Sequence, residues 1–414
     1  MSRLREAGAR LRRRPAAETL AALARVLDAW RDPASRWRRA LERELPGAAG
    51  FTSPVVREGM ALALAGWKGE ALLALVDREL GGPRALDGGD GTLASPFDVT
   101  ATLLAGALPS PSLLALLAPL AVRSAVLARP SSHDPVTARL VAESITAEDA
   151  GLGACLEIVS FPRGDDDALG VFLSGDCVVA TGSDATVRAI AARVQPPQRL
   201  VTYGHRVSVG LVGPEATHGE ALGAAARGLA LDVSLWDQLG CLSPVSVLVV
   251  GDARAAVGVA DALAVALRDL APRLPRGRVD PAAAAVLAQE RAAAEMRAAA
   301  GREVFVRGGR DEPFCVVCED DATLRPAPLH RFVRVHPVGP DGIGDALAPL
   351  ASHLAGVAVA GFGAGERRLL RLLADLGASR LCRPGRLQGP PLGWHHDGQG
   401  VLLPLVRSTD LELD

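Results

Sequence analysis

Through the first 85 residues apolar positions recur at helical spacing, as in Leu20, Leu23, Val26, Leu27 and Trp30, and again in Leu62, Leu64, Trp67, Leu72, Leu73 and Leu75. That period predicts helices and loops only. From about residue 90 the rhythm changes to short apolar runs alternating with helical stretches, the pattern of βαβ units that build a parallel sheet covered on both faces. The predicted units are strand Ser124–Ala128, helix Pro135–Ser144, strands Ala154–Val159 and Cys177–Thr181, and helix Asp184–Val194. A second α/β block starts near Val207–Val212 and holds helix Gly219–Ala230, strand Val245–Val250 and helix Arg254–Leu270. Beyond it, 281–300 reads as a helix, 303–338 as strands with turns, Glu366–Leu376 as a helix, and Cys382–Gly400 as a long Pro- and Gly-rich loop. The chain accordingly divides into a helical region 1–85, an α/β domain 86–205, a second α/β domain 206–380, and a loop and tail 381–414.

Composition narrows the class. With 414 residues, 49% hydrophobic and net charge -2, the chain can bury large cores and gives no electrostatic reason to expect nucleic acid. One Tyr, eight Phe and five Trp leave little surface on which bases could stack. The longest uncharged run, between Asp98 and Arg123, is broken by Pro109, Pro111 and Pro119 and reads as a buried helix, so no membrane span is expected. The Arg-rich opening carries Glu6 and Glu18 in the same periodic pattern and reads as a solvated helix face. Six scattered cysteines with no secretory signal argue for reduced thiols and a cytoplasmic protein. Cys315 and Cys318 form a CxxC without a second ligand pair, so they read as strand core, and no metal is expected.

Candidate chemistry centres on Cys241. Trp236-Asp237-Gln238-Leu239-Gly240-Cys241-Leu242-Ser243-Pro244 places the thiol on a tight turn just before an apolar strand, a position from which a thiolate can attack an acyl carbon. The alternative is a cysteine that is simply a small core hydrophobe. Gly182 and Ser183 lie between a strand and a helix, where free N–H groups suit a phosphate, though an ordinary Ser/Asp N-cap is the better reading of this turn taken alone. Arg129 stands at a strand end, as an anion clamp or as a solvated cation. His205, linking the two blocks, is a proton relay or a hydrogen-bonded structural histidine. His395-His396-Asp397 lacks a further ligand set for a metal, and no GxSxG accompanies any serine.

Gly182-Ser183, His205, the Asp237–Pro244 motif and Trp394-His395-His396-Asp397-Gly398, in this order, resemble the LuxC-type acyl-CoA reductases, a branch of the aldehyde dehydrogenase superfamily. The segment Gly47–Met60, with Phe51-Thr52-Ser53-Pro54, is similar to that family's leader. The resemblance covers most of the chain and implies an aldehyde-dehydrogenase-like α/β fold: a Rossmann-type cofactor domain, an α/β catalytic domain and a helical N-terminal leader. It implies NADPH-dependent reduction of a fatty acyl-CoA or acyl-carrier thioester to a fatty aldehyde, as in a bioluminescence-type pathway, by a homo-oligomer that can work with an acyl-transfer partner enzyme. Cys241 would be the nucleophile, and Gly182 and Ser183 would lie near the nicotinamide. Arg129 with Ser131 would meet the adenosine ribose, where an Arg suits a 2′-phosphate. In two places the chain departs from the pattern. Asp98 and Thr100 stand where the family resembles Pro-Gly-Asn-Val-Pro, putting a carboxylate in the oxyanion region, and Val201–His205 holds no Glu to activate water, leaving His205 as the acid/base candidate. Two other readings follow: a catalytically impaired member that binds acyl chains or a partner, and a cysteine acyltransferase or thioesterase that uses no nicotinamide.

Overall fold

The computed structural model describes residues 1–89 and 92–412. The chain forms two compact units, one made of Met1–Ala49, Met60–His205 and Pro391–Asp414, the other of Gly50–Gly59 and Arg206–Pro390.

The first unit is built on a five-stranded parallel sheet. Its strands, and the short ribbon beside it, are β1 (Leu93–Pro96), β2 (Val99–Leu103), β3 (Ala125–Arg129), β4 (Leu156–Ile158), β5 (Cys177–Thr181) and β6 (Arg199–Tyr203). The order is β4-β3-β2-β5-β6, so the chain direction across the sheet reverses between β2 and β5. β2, β3 and β5 are apolar runs buried on both faces, as a sheet covered by crossover helices requires. The helical start packs as its period predicts: helix Ala16–Arg31 buries Leu20, Leu23, Val26, Leu27 and Trp30, and the Trp30 indole donates to Ser144 Oγ at 2.9 Å.

The second unit carries β7 (Val207–Val212), β8 (Pro244–Val250), β9 (Phe305–Arg307), β10 (Cys315–Cys318), β11 (Phe332–Val338), β12 (Leu354–Ala360) and β13 (Arg380–Cys382). They form a seven-stranded sheet ordered β13-β12-β7-β8-β11-β10-β9, parallel except for the β9–β10 pair. Helices Gly219–Ser234, Ala253–Leu270 and Pro281–Ala299 belong to this unit, the last two started by Asp252 and Asp280, whose carboxylates accept backbone N–H groups of the first turn.

Several strands, β2, β6 and β12 among them, appear where the sequence pattern predicts none. β2 lies in the run Asp98–Arg123, whose unbroken apolar character hides the boundary between a strand and helix Pro109–Ala121. β6 and β12 are too rich in polar residues and in Gly and Ala, respectively, to register as apolar β-branched runs. The predicted strand at 154–159 shrinks to β4 because a helical turn, Ala150–Gly153, closes onto its start. In the tail, β14 (Val406–Thr409) pairs antiparallel with β1, and the Glu79 carboxylate gathers the N–H groups of Val401, Leu402 and Leu403 at 2.7–3.1 Å. No helix among the described residues is long and apolar enough to cross a membrane.

Candidate active site

In the first unit a cleft of about 1190 Å³ opens at the carboxyl ends of β2, β3, β4 and β5, the edge at which open α/β sheets bind ligands. Arg129, Ser131, Gly182 and Ser183 all line it, so four of the residues expected to meet a cofactor come together. Ser131 belongs to the turn after β3, where it pairs with Asp134. Asp134 in turn accepts the N–H groups of Val136 and Thr137 at 3.1 and 2.9 Å and starts the next helix. The Arg129 guanidinium donates to the Phe161 carbonyl at 3.1 Å and lies 4.5 Å from the Phe161 ring centroid, which fixes the loop after β4. That loop also brings the exposed Arg163 to the cleft wall. Gly182 N–H donates to the Tyr203 carbonyl, and a Cβ on Gly182 would crowd Thr186 at 3.2 Å. Ser183 caps helix Asp184–Ala191 through the Thr186 N–H. Serine and threonine hydroxyls, the guanidiniums of Arg129 and Arg163, and a helix start make a donor set that fits a dinucleotide diphosphate, while Arg139 in the same wall is engaged by Glu143 and Glu44.

His205 is exposed just beyond β6, and its N–H donates to Asp184 Oδ1 at 2.9 Å, which ties it to the Gly182–Ser183 turn. Beside it Tyr203 stacks on His396 with ring centroids 4.7 Å apart, and His396 stacks on Trp394 at the same spacing. Burial, with Asp397 and Glu79 adding to it, pushes the Tyr203 hydroxyl up to about 12. The Trp-His-His-Asp-Gly motif is thus a ring stack against β6, and among the described residues no group of three or more His, Cys, Asp or Glu is placed to hold a metal ion.

Asp98 requires a correction. It precedes β2 at the amino edge of the sheet, opposite the cleft, half-exposed and paired with Arg12 at 2.8 Å and Arg5 at 3.4 Å. β2 separates Asp98 from the cleft, and the segment leaving β2 at the cleft edge is Leu104-Ala105-Gly106-Ala107-Leu108-Pro109.

Cys241 belongs to the second unit. Helix Gly219–Ser234 ends in a turn whose three residues Trp236, Asp237 and Gln238 all have positive φ, at 58°, 48° and 65°. Left-handed non-glycine residues each cost about 1–3 kcal/mol and persist only where their surroundings over-determine them. Here the Asp237 and Gln238 side chains are both fixed. Asp237 Oδ1 accepts Arg331 Nε and Nη2 at 2.9 and 2.6 Å, and its Oδ2 accepts the Gly277 N–H at 2.9 Å. The Gln238 amide donates to the Pro244 and Phe332 carbonyls at 2.8 and 3.0 Å and accepts the Phe332 N–H at 2.9 Å. Gln388 donates to Ser243 Oγ at 3.0 Å, and Ser208 Oγ donates to the Cys241 carbonyl at 2.7 Å. The result is a half-buried Cys241 held on a rigid turn at the amino edge of β8.

The other five thiols differ in environment. Burial pushes Cys155, Cys315 and Cys382 up to about 11 and Cys177 and Cys318 up to about 12, so they stay protonated and inert. Cys315 and Cys318 lie within β10, as strand core.

Arg331, Gln388, Asp232 and Ser208 were not predicted as site residues. Arg331 ends a second left-handed run, Leu329-His330-Arg331, for which the sequence offers no turn signal. Asp232 accepts the N–H groups of Gly385 and Leu387 at 2.6 and 3.0 Å, and burial pushes its carboxyl up to about 7.

The sequence model of the family described as Acyl-CoA reductase (LuxC) matches residues 12–408. A protein of Aliivibrio fischeri named long-chain acyl-protein thioester reductase is 26% identical over 321 residues, 75% of this chain and 64% of the relative. One of the same name from Vibrio harveyi is 26% identical over 54% of this chain and 48% of its own length. The chain's matches therefore span less than two thirds of these relatives. Among solved structures, a salicylaldehyde dehydrogenase of Pseudomonas putida superposes with a TM-score of 0.72 at 15% identity, covering 99% of this chain and 88% of that one. An NAD-dependent benzaldehyde dehydrogenase of Corynebacterium glutamicum gives 0.70 at 14% identity, with the same coverage. The fold is that of the aldehyde dehydrogenases.

Proposed function

Because the chain belongs to the acyl-CoA reductase (LuxC) family, we propose that it reduces a long-chain acyl thioester, of CoA or of an acyl-carrying protein, to the aldehyde through an acyl-enzyme on Cys241. The observation that carries this reading is the Cys241 turn: a left-handed frame, pinned through the Asp237 and Gln238 side chains, around a half-buried thiol. The first unit takes the cofactor and the second carries the nucleophile.

In the chemistry proposed, the Cys241 thiolate attacks the thioester carbonyl, the bond to the donor sulfur breaks, and the departing thiolate takes a proton. Backbone N–H groups of the Gly240–Leu242 turn are assigned to the oxyanion. Within the first unit Asp98 is paired with Arg12 and Arg5. NADPH, when bound, supplies the hydride that takes the acyl carbon to the aldehyde level. Arg129, Ser131, Gly182 and Ser183 would hold it, with Arg163 and Arg129 suited to a 2′-phosphate. Collapse of the reduced adduct re-forms C=O and returns the Cys241 thiolate. With no Glu in Val201–His205 to activate water, the acyl-enzyme is not spent by hydrolysis, and His205 is the acid/base group beside the Gly182–Ser183 turn.

The test is single-turnover oxidation of NADPH on mixing with a long-chain acyl-CoA. A burst that Cys241→Ala abolishes supports the reductase. A thiol-linked acyl adduct without NADPH loss would favour an acyltransferase, and no adduct at all would sink the catalytic reading.

A further inference from the structure

Residues Gly50–Gly59 belong to the second unit, although the chain on both sides of them belongs to the first. Their contacts converge on the Cys241 turn. Phe51, 4% exposed, meets Trp236 edge-on, with ring centroids 5.5 Å apart and planes at 69°. Gly59, in helix Ser53–Ala63, leaves room for the indole: a Cβ there would stand 2.4 Å from Trp236 Cζ2 and 2.6 Å from Cε2. The Gly50 carbonyl accepts the Arg278 N–H at 2.7 Å, and Thr52 Oγ1 donates to the Pro275 carbonyl at 2.9 Å. The stretch 274–278 tied in this way also holds Asp237. Gly277 donates to its carboxylate, and the Leu274 carbonyl takes a bond from Arg331. Residues 50–59 therefore grip Trp236 directly and Asp237 through one intermediate segment.

Both gripped residues are left-handed, a conformation that Asp tolerates but a bulky Trp adopts only under constraint. Cys241 follows five positions after Trp236, so release of the indole would free the turn that sets the direction of the thiol. We propose that residues 50–59 are a positioning strap for the nucleophile, with Phe51 and the bare backbone of Gly59 seating Trp236. The proposal rests on Cys241 being the reacting thiol. It assigns Phe51 and Gly59 no contact with substrate.

The test uses the full chain and the variants Phe51→Ala, Phe51→Tyr and Gly59→Ala. Three quantities are read: acyl-adduct formation from a long-chain acyl-CoA, the rate of Cys241 alkylation by iodoacetamide as a function of pH, and NADPH affinity. Misplacing a reacting group by about 1 Å costs on the order of a hundredfold. Phe51→Ala and Gly59→Ala should therefore slow acylation by about that factor and change the alkylation profile, with NADPH affinity unchanged. Phe51→Tyr, which keeps the ring, should restore acylation. Protection of Cys315 and Cys318 from the reagent certifies the fold, and if Phe51→Ala fails that check the comparison of Gly59→Ala with Phe51→Tyr decides. Wild-type acylation and alkylation in folded Phe51→Ala or Gly59→Ala would overturn the strap. If the wild type forms no acyl adduct while alkylation of Cys241 still follows the strap variants, the reductase reading fails and the strap stands.

Discussion

Replacing Arg331 by Met should destabilise the second unit more than any surface change in it. The side chain is 1% exposed and gives four bonds: two to Asp237 Oδ1, one to the Leu274 carbonyl and one to the Ser234 carbonyl. Methionine fills a similar volume but leaves the Asp237 carboxylate, itself 3% exposed, with the Gly277 N–H donating to Oδ2 and both Arg331 bonds to Oδ1 lost. Burial already pushes the Arg331 guanidinium down from its usual range, with Asp237 opposing, so the pair sits where an unmatched charge is costly. Removing one partner of such a buried pair costs about 3–5 kcal/mol, mostly the penalty of the charge left behind. For a unit of this size each kcal/mol lowers Tm by roughly 2–4 °C, so a fall of about 10 °C is expected. Urea unfolding followed by Trp fluorescence gives the free energy. A double-mutant cycle with Asp237→Asn, which tolerates the left-handed backbone, isolates the pair. The double variant should be more stable than Arg331→Met alone. A loss below about 1 kcal/mol in Arg331→Met, or no recovery in the double variant, would refute the idea that this pair holds the turn.

Three other outcomes are expected. Asp232 is pushed up to about 7 from an ordinary 3.8, so the unfolded chain gives up its proton first; stability from this group is present at acid pH and lost as pH rises towards 7, and Asp232→Asn should flatten that fall in denaturation midpoints taken from about pH 4 to 8. Native alkylation at mildly alkaline pH should label Cys241 well before Cys155, Cys177, Cys315, Cys318 or Cys382, as read by peptide mass spectrometry, because burial holds those five protonated. Asp98→Ala should cost less than about 1 kcal/mol and leave acylation and NADPH affinity unchanged, since its pairs with Arg5 and Arg12 are solvent-screened and it lies at the sheet edge opposite the cleft.

Much of the frame was legible in the sequence for a plain reason: strands buried on both faces are written as short apolar runs, and Cys177–Thr181 and Val207–Val212 coincide with β5 and β7. The cleft was legible too, because ligand groups on a parallel sheet lie where strands end, and Arg129 and Gly182–Ser183 stand there. β2 was not, since a strand followed by a buried helix makes one continuous uncharged stretch. The left-handed conformations of Trp236, Asp237 and Gln238 were equally hidden, because none of them is a glycine and only their partners impose the backbone. Arg331 lies 94 residues from Asp237, a separation at which local periodicity says nothing.

The amide of Gln238 takes the place of a backbone peptide between β8 and β11, accepting from and donating to Phe332 as a neighbouring strand would. The Cys241 turn is in this sense a rung of the sheet, and it cannot open without parting that rung. Solvent exchange of the Phe332 amide hydrogen should therefore share the slow opening of the sheet core and not the fast breathing of a surface loop, so that a single proton far along the chain keeps time for the nucleophile.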